Sequence, residues 1–457
     1  MNFSKKEVKF IDVTVRDGHQ SLWGAAGMRP GMVLSIAPVL DRAGFKAIDF
    51  ISSIHMGMQV RNKENPWEYV RLGCQAMSNT PLSFGTTGRR FIGFKRMPDS
   101  IVELVLQKMA SYGIRRVWII DAPHDVALIT KVARMAKKAG IQEFVVALSY
   151  SISPVHTDEY YAKKADELSK CNDIDTFYIK DQGGLLTIDR IRTLVPVIQK
   201  NIRGKPLEIH SHCNTGLAPL VYLEAINMGV DVVHTAIPSL ANGSSLPNIN
   251  NILRNIRYMG YTSKINEQAI AEIMAHFKEI AQKEGLPEGV PVEYDAHYYK
   301  YQVPGGMVTT LQRHLKELGM EHRLEEVLEE IVRVRAEFGY PIMVTPFSQF
   351  MGTQATMNVA TGSRYKVIPD ELLQYVAGWF GEPPVPIDKD VLDKIASNPR
   401  AKLFFNKDVP QYSVAELRKQ MGLGPNVSDE EFLLRYTITD KGVDEMLAAG
   451  PLKTTYP

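Results

Sequence analysis

Three short stretches carry the reading of this chain: F-I-D-V-T-V-R-D (Phe10–Asp17), T-F-Y-I-K-D (Thr176–Asp181) and L-E-I-H-S-H (Leu207–His212). Each is a strand-like apolar run that ends in charged or metal-ligating residues, Arg16-Asp17, Lys180-Asp181 and His210-Ser211-His212. Residues i and i+2 of a strand point the same way, so the alternation at Ile209-His210-Ser211-His212 turns both imidazoles toward one point. On either side of these stretches, comparable runs recur at roughly 30-residue intervals, the rhythm of repeated β-α units. They fall at Lys9–Val15, Ala47–Ile51, Leu82–Thr86, Arg116–Ile120, Phe144–Ser149, Thr176–Ile179, Leu207–Ser211 and Asp231–Ala236. Between them lie stretches with apolar residues three and four apart, such as Ser100–Tyr112, Val126–Ala139 and Leu217–Met228, which predict helices. Gly44, Gly113, Gly140 and Gly229 stand where such helices close. Eight units over about 260 residues predict a parallel (β/α)8 (TIM) barrel, whose strands present their carboxyl ends on one face. There Asp17, Lys180, His210 and His212 could together hold a divalent metal. A doubly wound open sheet is the competing architecture, but no Gly-rich nucleotide turn follows the first run.

Beyond about Glu267 the pattern changes to helical spacing with few strand candidates: Gln268–Glu284, Met307–Glu317, Leu324–Phe338 and Asp370–Trp379. This predicts a barrel over residues 1–265 and a mainly helical C-terminal region over 266–457. Pro383-Pro384-Val385-Pro386 reads as a loop, and the last segment, from about Lys389, as helical and polar. With 457 residues, 45% hydrophobic and 23% charged, the chain is long enough for a substantial core. A formal charge of +2 gives no reason to expect nucleic acid or an anionic membrane as partner. No apolar run approaches a membrane span, and M-N-F-S-K-K-E-V-K-F lacks the apolar core of a secretory signal. Cys74, Cys171 and Cys213 are odd in number and widely spaced, which fits a reducing cytoplasm.

The opening D-V-T-V-R-D-G-H-Q-S (Asp12–Ser21) resembles the D-T-T-L-R-D-x-H-Q-S signature of biotin-dependent carboxyltransferases. That family includes the carboxyltransferase domain of pyruvate carboxylase, the oxaloacetate decarboxylase α subunit and the metal-binding subunit of transcarboxylase. Its further motifs follow in order: I-K-D-Q-G-G-L-L (Ile179–Leu186), H-S-H-C-N-T-G (His210–Gly216), V-P-G-G-M (Val303–Met307), V-T-P-F-S (Val344–Ser348) and P-D-E-L-L (Pro369–Leu373). The resemblance implies that Asp17, His210 and His212 bind zinc, manganese or cobalt, a choice that affinity order alone does not make. It implies that Lys180 is carbamylated, converting a repelled ammonium into an anionic oxygen ligand; an unmodified Lys180 paired with Asp17 or Asp181 is the plainer reading. Thr345 matches the threonine that passes a proton between carboxybiotin and substrate, a task suited to a hydroxyl that donates and accepts. Gln20 and Arg16 match the positions that hold the substrate's carbonyl and carboxylate, and Arg suits the latter by its planar fork. A homodimer is also implied.

The departures gather near the substrate. Leu22–Arg29 (L-W-G-A-A-G-M-R) is one residue longer than the family's L-x-A-T-R-M-R and lacks its first Arg. In T-T-G-R-R-F-I-G-F (Thr86–Phe94), Thr87 stands where pyruvate-type enzymes carry the Arg that clamps a keto acid, and Arg90 stands at their Asn. Cys213 and His234 replace aspartates, and Gln349 replaces a lysine. The expected acceptor is therefore a small carbonyl-containing acid, pyruvate- or oxaloacetate-like, but not simple pyruvate. No A-M-K-M biotinylation motif and no phosphate loop occur, so carboxybiotin is expected from a separate carrier protein charged by a separate biotin carboxylase. Two other functions compete: a biotin-independent lyase or aldolase such as hydroxymethylglutaryl-CoA lyase, and a non-catalytic barrel that docks the carrier.

Overall fold

The computed structural model describes residues 6–93, 95–303, 305–317, 319–405 and 409–456, and of residues 305–310 the backbone alone. Phe94 and Pro304, which belong to two of the quoted motifs, lie outside the described residues. Eight parallel strands close into a barrel in chain order: β1 (Lys9–Asp12), β2 (Ala47–Ser52), β3 (Leu82–Thr86), β4 (Arg116–Ile119), β5 (Glu143–Ser149), β6 (Thr176–Asp181), β7 (Leu207–Ser211) and β8 (Val232–Thr235). Closure runs through β1 and β8, where Ile11 pairs with His234 and Asp12 with Thr235. Each expected strand is present within a few residues, because each is a short β-branched or aromatic run buried on both faces.

The largest departure is at β1, expected to run to Val15 but ending at Asp12. The Thr14 hydroxyl donates to Asp12 Oδ1 (2.5 Å) and accepts from the Ile237 amide (2.9 Å), taking the chain out of the ladder. Thr14–Gly18 then forms a π-helical turn, closed by the Gly18 amide on the Val13 carbonyl (2.9 Å). Arg16 and Asp17 thus sit on a turn above the barrel rather than on the strand itself.

The expected helices are present, among them Asp99–Tyr112, Val126–Lys138 and Glu267–Glu284. Gly113 closes the first in the left-handed region (φ 107°), which only glycine adopts without strain. A helix at Phe347–Thr361 was not expected. Its sequence, F-S-Q-F-M-G-T-Q-A-T-M-N-V-A-T, mixes polar and apolar residues, and Ser348, Gln354 and Asn358 are buried along with Phe350 and Met351. Gln349, Thr353 and Ala360 are exposed, and the polar side chains buried among apolar ones on the other side break the amphipathic stripe.

The barrel and its helices share one core, which Phe432, Leu433 and Val443 of the chain's last helices join from outside. A second core around Ile331, Phe338, Phe347 and Tyr375 unites the helical C-terminal region. That region is tied to the barrel rim by Arg335, which donates to Ser151 Oγ (2.8 Å) and the Ile152 carbonyl (3.1 Å). Among the described residues no helix is long and apolar enough to cross a membrane.

Candidate metal centre and adjoining cavity

Parallel pairing sets Lys180 of β6 beside His210 of β7, while the turn after β1 swings Asp17 over both. Among the described residues one group of potential ligands converges: Asp17, His210 and His212, all buried, with ligand atoms within 4.8 Å of one another. His210 Nε2 lies 3.2 Å from Asp17 Oδ2 and 3.3 Å from His212 Nε2, and His212 Nε2 lies 3.7 Å from Asp17 Oδ1. Lys180 Nζ is 3.0 Å from His210 Nε2 and 3.4 Å from Asp17 Oδ2. His212 Nδ1 donates to the Ser244 carbonyl (2.7 Å), which leaves the Nε2 lone pair facing the cluster. One carboxylate and two imidazoles, oriented this way, fit a borderline divalent cation.

The electrostatics favour an anionic Asp17 and a neutral His210 ring. Burial alone would raise the Asp17 carboxyl, but the charges of Arg16 and then Lys180 hold it well below the usual carboxylate range. Burial, then the neighbouring Lys180 charge, pushes His210 well below the ordinary histidine value. Burial also lowers the Lys180 ammonium, against the pull of Asp17.

A cavity of about 320 Å³ opens above the cluster, lined by Arg16, Asp17, Gln20 and Lys180 on the barrel side and by Thr345 and Ser348 on the C-terminal side. Gln20 Oε1 and Thr87 Oγ1, both at this cavity, are buried polar atoms without a protein partner. His210 lies below, lining a small hollow inside the barrel with Arg116 and His234. Arg90 is set apart from the main cavity, in an adjoining hollow with Thr87, Thr345 and Phe380, its guanidinium 5.5 Å from the Phe380 ring centre. Arg89 is engaged elsewhere, by Asp121 and Asp125 at 3.0 Å each.

Sequence reasoning missed the residues that hold this constellation. Asp49 of β2 accepts from Arg16 Nε (2.7 Å) and from Trp118 Nε1 (2.8 Å), and the Trp118 ring lies 4.7 Å beneath the guanidinium. Glu208, Ser244 and Arg116 were missed as well. A signal existed for three of them: Asp49, Arg116 and Glu208 are lone charges in otherwise apolar strand runs, and a buried charge needs a partner.

The molecule is thus a closed (β/α)8 barrel with a candidate metal centre at its strand ends and a helical region over the mouth. Two family descriptions match it: "HMGL-like" over residues 106–276 and "conserved carboxylase domain" over residues 298–448. A pyruvate carboxylase subunit from Methanocaldococcus jannaschii is 38% identical over 390 residues, covering 85% of this chain and 68% of that protein. The methylmalonyl-CoA carboxyltransferase 5S subunit of Propionibacterium freudenreichii is 31% identical, covering 87% and 78% respectively. The carboxyl transferase domain of Rhizobium etli pyruvate carboxylase, solved with pyruvate, superposes with a TM-score of 0.87 at 22% identity, covering 99% of this chain and 78% of that one. The chain belongs to the biotin-dependent carboxyltransferase domain family, close to the carboxyltransferase domains of pyruvate and oxaloacetate carboxylases. It spans 35% of the longer pyruvate carboxylase of Staphylococcus aureus, to which it is 25% identical.

Proposed function

We propose that this protein is the carboxyltransferase subunit of a biotin-dependent system, moving a carboxyl group between carboxybiotin on a separate carrier and a small 2-oxo acid. The observation that carries the reading is the shared cavity: Thr345 and the Arg16–Gln20 turn, far apart in sequence, line one space above Asp17, Lys180 and His212. Asp17, His210 and His212, with Lys180 as its carbamate, would hold zinc, manganese or cobalt, which when bound polarises a carbonyl as a Lewis acid. Lys180 is buried within ligand distance of the same atoms, and its lowered ammonium favours the free amine that adds carbon dioxide, with release of one proton. Arg16, clamped by Asp49, presents a fixed guanidinium to the acceptor's carboxylate. Gln20 supplies the buried amide at its carbonyl. In the transfer, the N–C bond of carboxybiotin breaks, a C–C bond to the acceptor forms, and the acceptor's proton passes through the Thr345 hydroxyl to the biotin nitrogen.

The acceptor is recognised differently from pyruvate in the family pattern. Thr87 provides a hydroxyl where a guanidinium is expected, and Arg89 is bound to Asp121 and Asp125 rather than turned inward. A separate carrier and biotin carboxylase accord with relatives that are themselves subunits, among them a 2-oxoglutarate carboxylase large subunit from Hydrogenobacter thermophilus, 29% identical over 94% of this chain. The test supplies the purified protein and a divalent metal with labelled carboxybiotin on a carrier and a panel of 2-oxo acids. Biotin-dependent transfer with an acceptor preferred over pyruvate is expected. Pyruvate as the best acceptor sinks the altered recognition, and biotin-independent cleavage of hydroxymethylglutaryl-CoA turns the reading to a lyase.

A further inference from the structure

His210 reaches the metal cluster through Nε2, and its other nitrogen has a partner outside the family pattern. His210 Nδ1 lies 3.1 Å from His234 Nδ1, and His234 Nε2 lies 3.0 Å from Glu208 Oε2. Barrel geometry brings the three together: Glu208 and His210 share the inward face of β7, and His234 stands beside them on β8. The His234 ring is fixed by stacking on Tyr178, with centres 5.2 Å apart and planes inclined at 21°. Glu208 is fully buried and bound by Arg116 and by Lys46, the latter at 2.6 Å from Oε1.

We propose that His234 is a positioning residue for the metal centre: anchored by Glu208, it accepts the Nδ1 proton of His210 and leaves the His210 Nε2 lone pair for the cation. The reasoning is proton bookkeeping along one line. Glu208, ionised between Arg116 and Lys46, can only accept, so the proton between it and His234 sits on His234 Nε2. A neutral imidazole carries one N–H, so His234 Nδ1 is an acceptor, and its only complement at 3.1 Å is an N–H on His210 Nδ1. At the far end Lys180 Nζ, 3.0 Å away, can donate to the freed Nε2. Asp17 Oδ2, at 3.2 Å, competes by favouring a proton on Nε2, so the His234–Glu208 arm is what tips the ring. His212 needs no such arm, because the Ser244 carbonyl fixes it directly. Two ligands of one cluster are thus oriented by two different devices, and outer partners of this kind govern metal affinity.

The proposal rests on reading Asp17, His210 and His212 as metal ligands, and the experiment separates the two. Zinc affinity is measured by chelator competition, and the visible spectrum is recorded after cobalt loading, for the full-length wild type, His234→Phe and His234→Asn. Phe keeps the ring against Tyr178 but offers no acceptor; Asn places an amide oxygen near the lost Nδ1. His234→Phe should lose about 10- to 100-fold in affinity, while His234→Asn stays close to wild type with a preserved cobalt spectrum. Wild-type affinity in the Phe variant overturns the proposal, as does equal loss in both variants. Nitrogen-15 spectroscopy of histidine-labelled, metal-free wild type reads the tautomer without any variant: a proton on His210 Nδ1 is expected, and one on Nε2 overturns the proposal. A wild type that binds no divalent metal overturns the metal-centre reading itself.

Discussion

Arg16 is held on three sides: Asp49 accepts from Nε at 2.7 Å, Asp17 Oδ2 lies 2.9 Å from Nη2, and the Trp118 ring lies beneath at 4.7 Å. A guanidinium so restrained gives up little side-chain freedom when it meets a carboxylate, which suits a substrate-positioning group. Asp17, one residue on, also belongs to the candidate metal cluster, and Thr345 lines the same cavity. Their contributions therefore separate by substitution. Thr345→Ala should cut the carboxyl transfer rate by about 10²- to 10⁴-fold, the usual range for a lost proton-transfer group, with bound metal unchanged. Asp17→Asn should remove bound metal first. Metal content by mass spectrometry and transfer of labelled carboxyl measure both effects; parallel loss of metal in the Thr345 variant would contradict the assignment. The convergence of Asp17, His210 and His212 was legible in the sequence because residue type and position at a strand end are local properties. Asp49 and Trp118 were not, because they meet Arg16 only once β2 and β4 are bent around a closed barrel.

The loop after β6 shows how an element sets the geometry of its neighbour. Asp181, fully buried, accepts from the amides of Leu185 (2.8 Å) and Leu186 (2.9 Å) and from Ser211 Oγ (2.7 Å). It thereby ties the Gly183-Gly184 turn to β7. Gly184 has φ +64°, and a Cβ added there would lie 2.5 Å from the His212 carbonyl oxygen. Gly184→Ala is expected to destabilise the fold by about 1–3 kcal/mol and to weaken metal binding by displacing His212, although residue 184 offers no ligand. Chemical denaturation and chelator competition on the same variant check the pair of effects. Unchanged metal affinity would show that the loop does not set His212. Elements with a clear period were found from sequence, whereas the Phe347–Thr361 helix, which begins two residues after Thr345, was not, since Ser348, Gln354 and Asn358 interrupt its buried apolar face.

Across the whole molecule, buried neutral histidines set the response to acid. Burial lowers His19 to about 4 and His124 and His156 to about 3, and it lowers His55 and His234 as well. Below the ordinary histidine value near 6.5 the unfolded chain takes up protons that the folded chain refuses, so stability falls as pH falls through that range. Asp12 and Glu64, pushed up by burial to about 7, and Asp121 and Asp181, also raised by burial, act with the opposite sign, since the folded chain keeps protons that the unfolded chain releases. The histidines outnumber them, so urea midpoints should decline steadily from about pH 6.5 toward pH 4; a flat or rising profile would contradict the balance. His156 lies near Arg335, which bonds Ser151 where the C-terminal region meets the barrel rim. The strand count, the parallel barrel, the helical C-terminal region and the candidate cluster of Asp17, His210 and His212 could all be read from the amino-acid order, because two- and 3.6-residue periods and side-chain chemistry are properties of neighbouring residues. Folding in three dimensions was needed to show that Asp49 clamps Arg16, that Ser244 orients His212, that Arg89 turns to Asp121, and that His234 joins His210 to Glu208. Those contacts depend on how neighbouring strands pair around the barrel, β1 with β2, β3 with β4 and β7 with β8, and no local pattern encodes it.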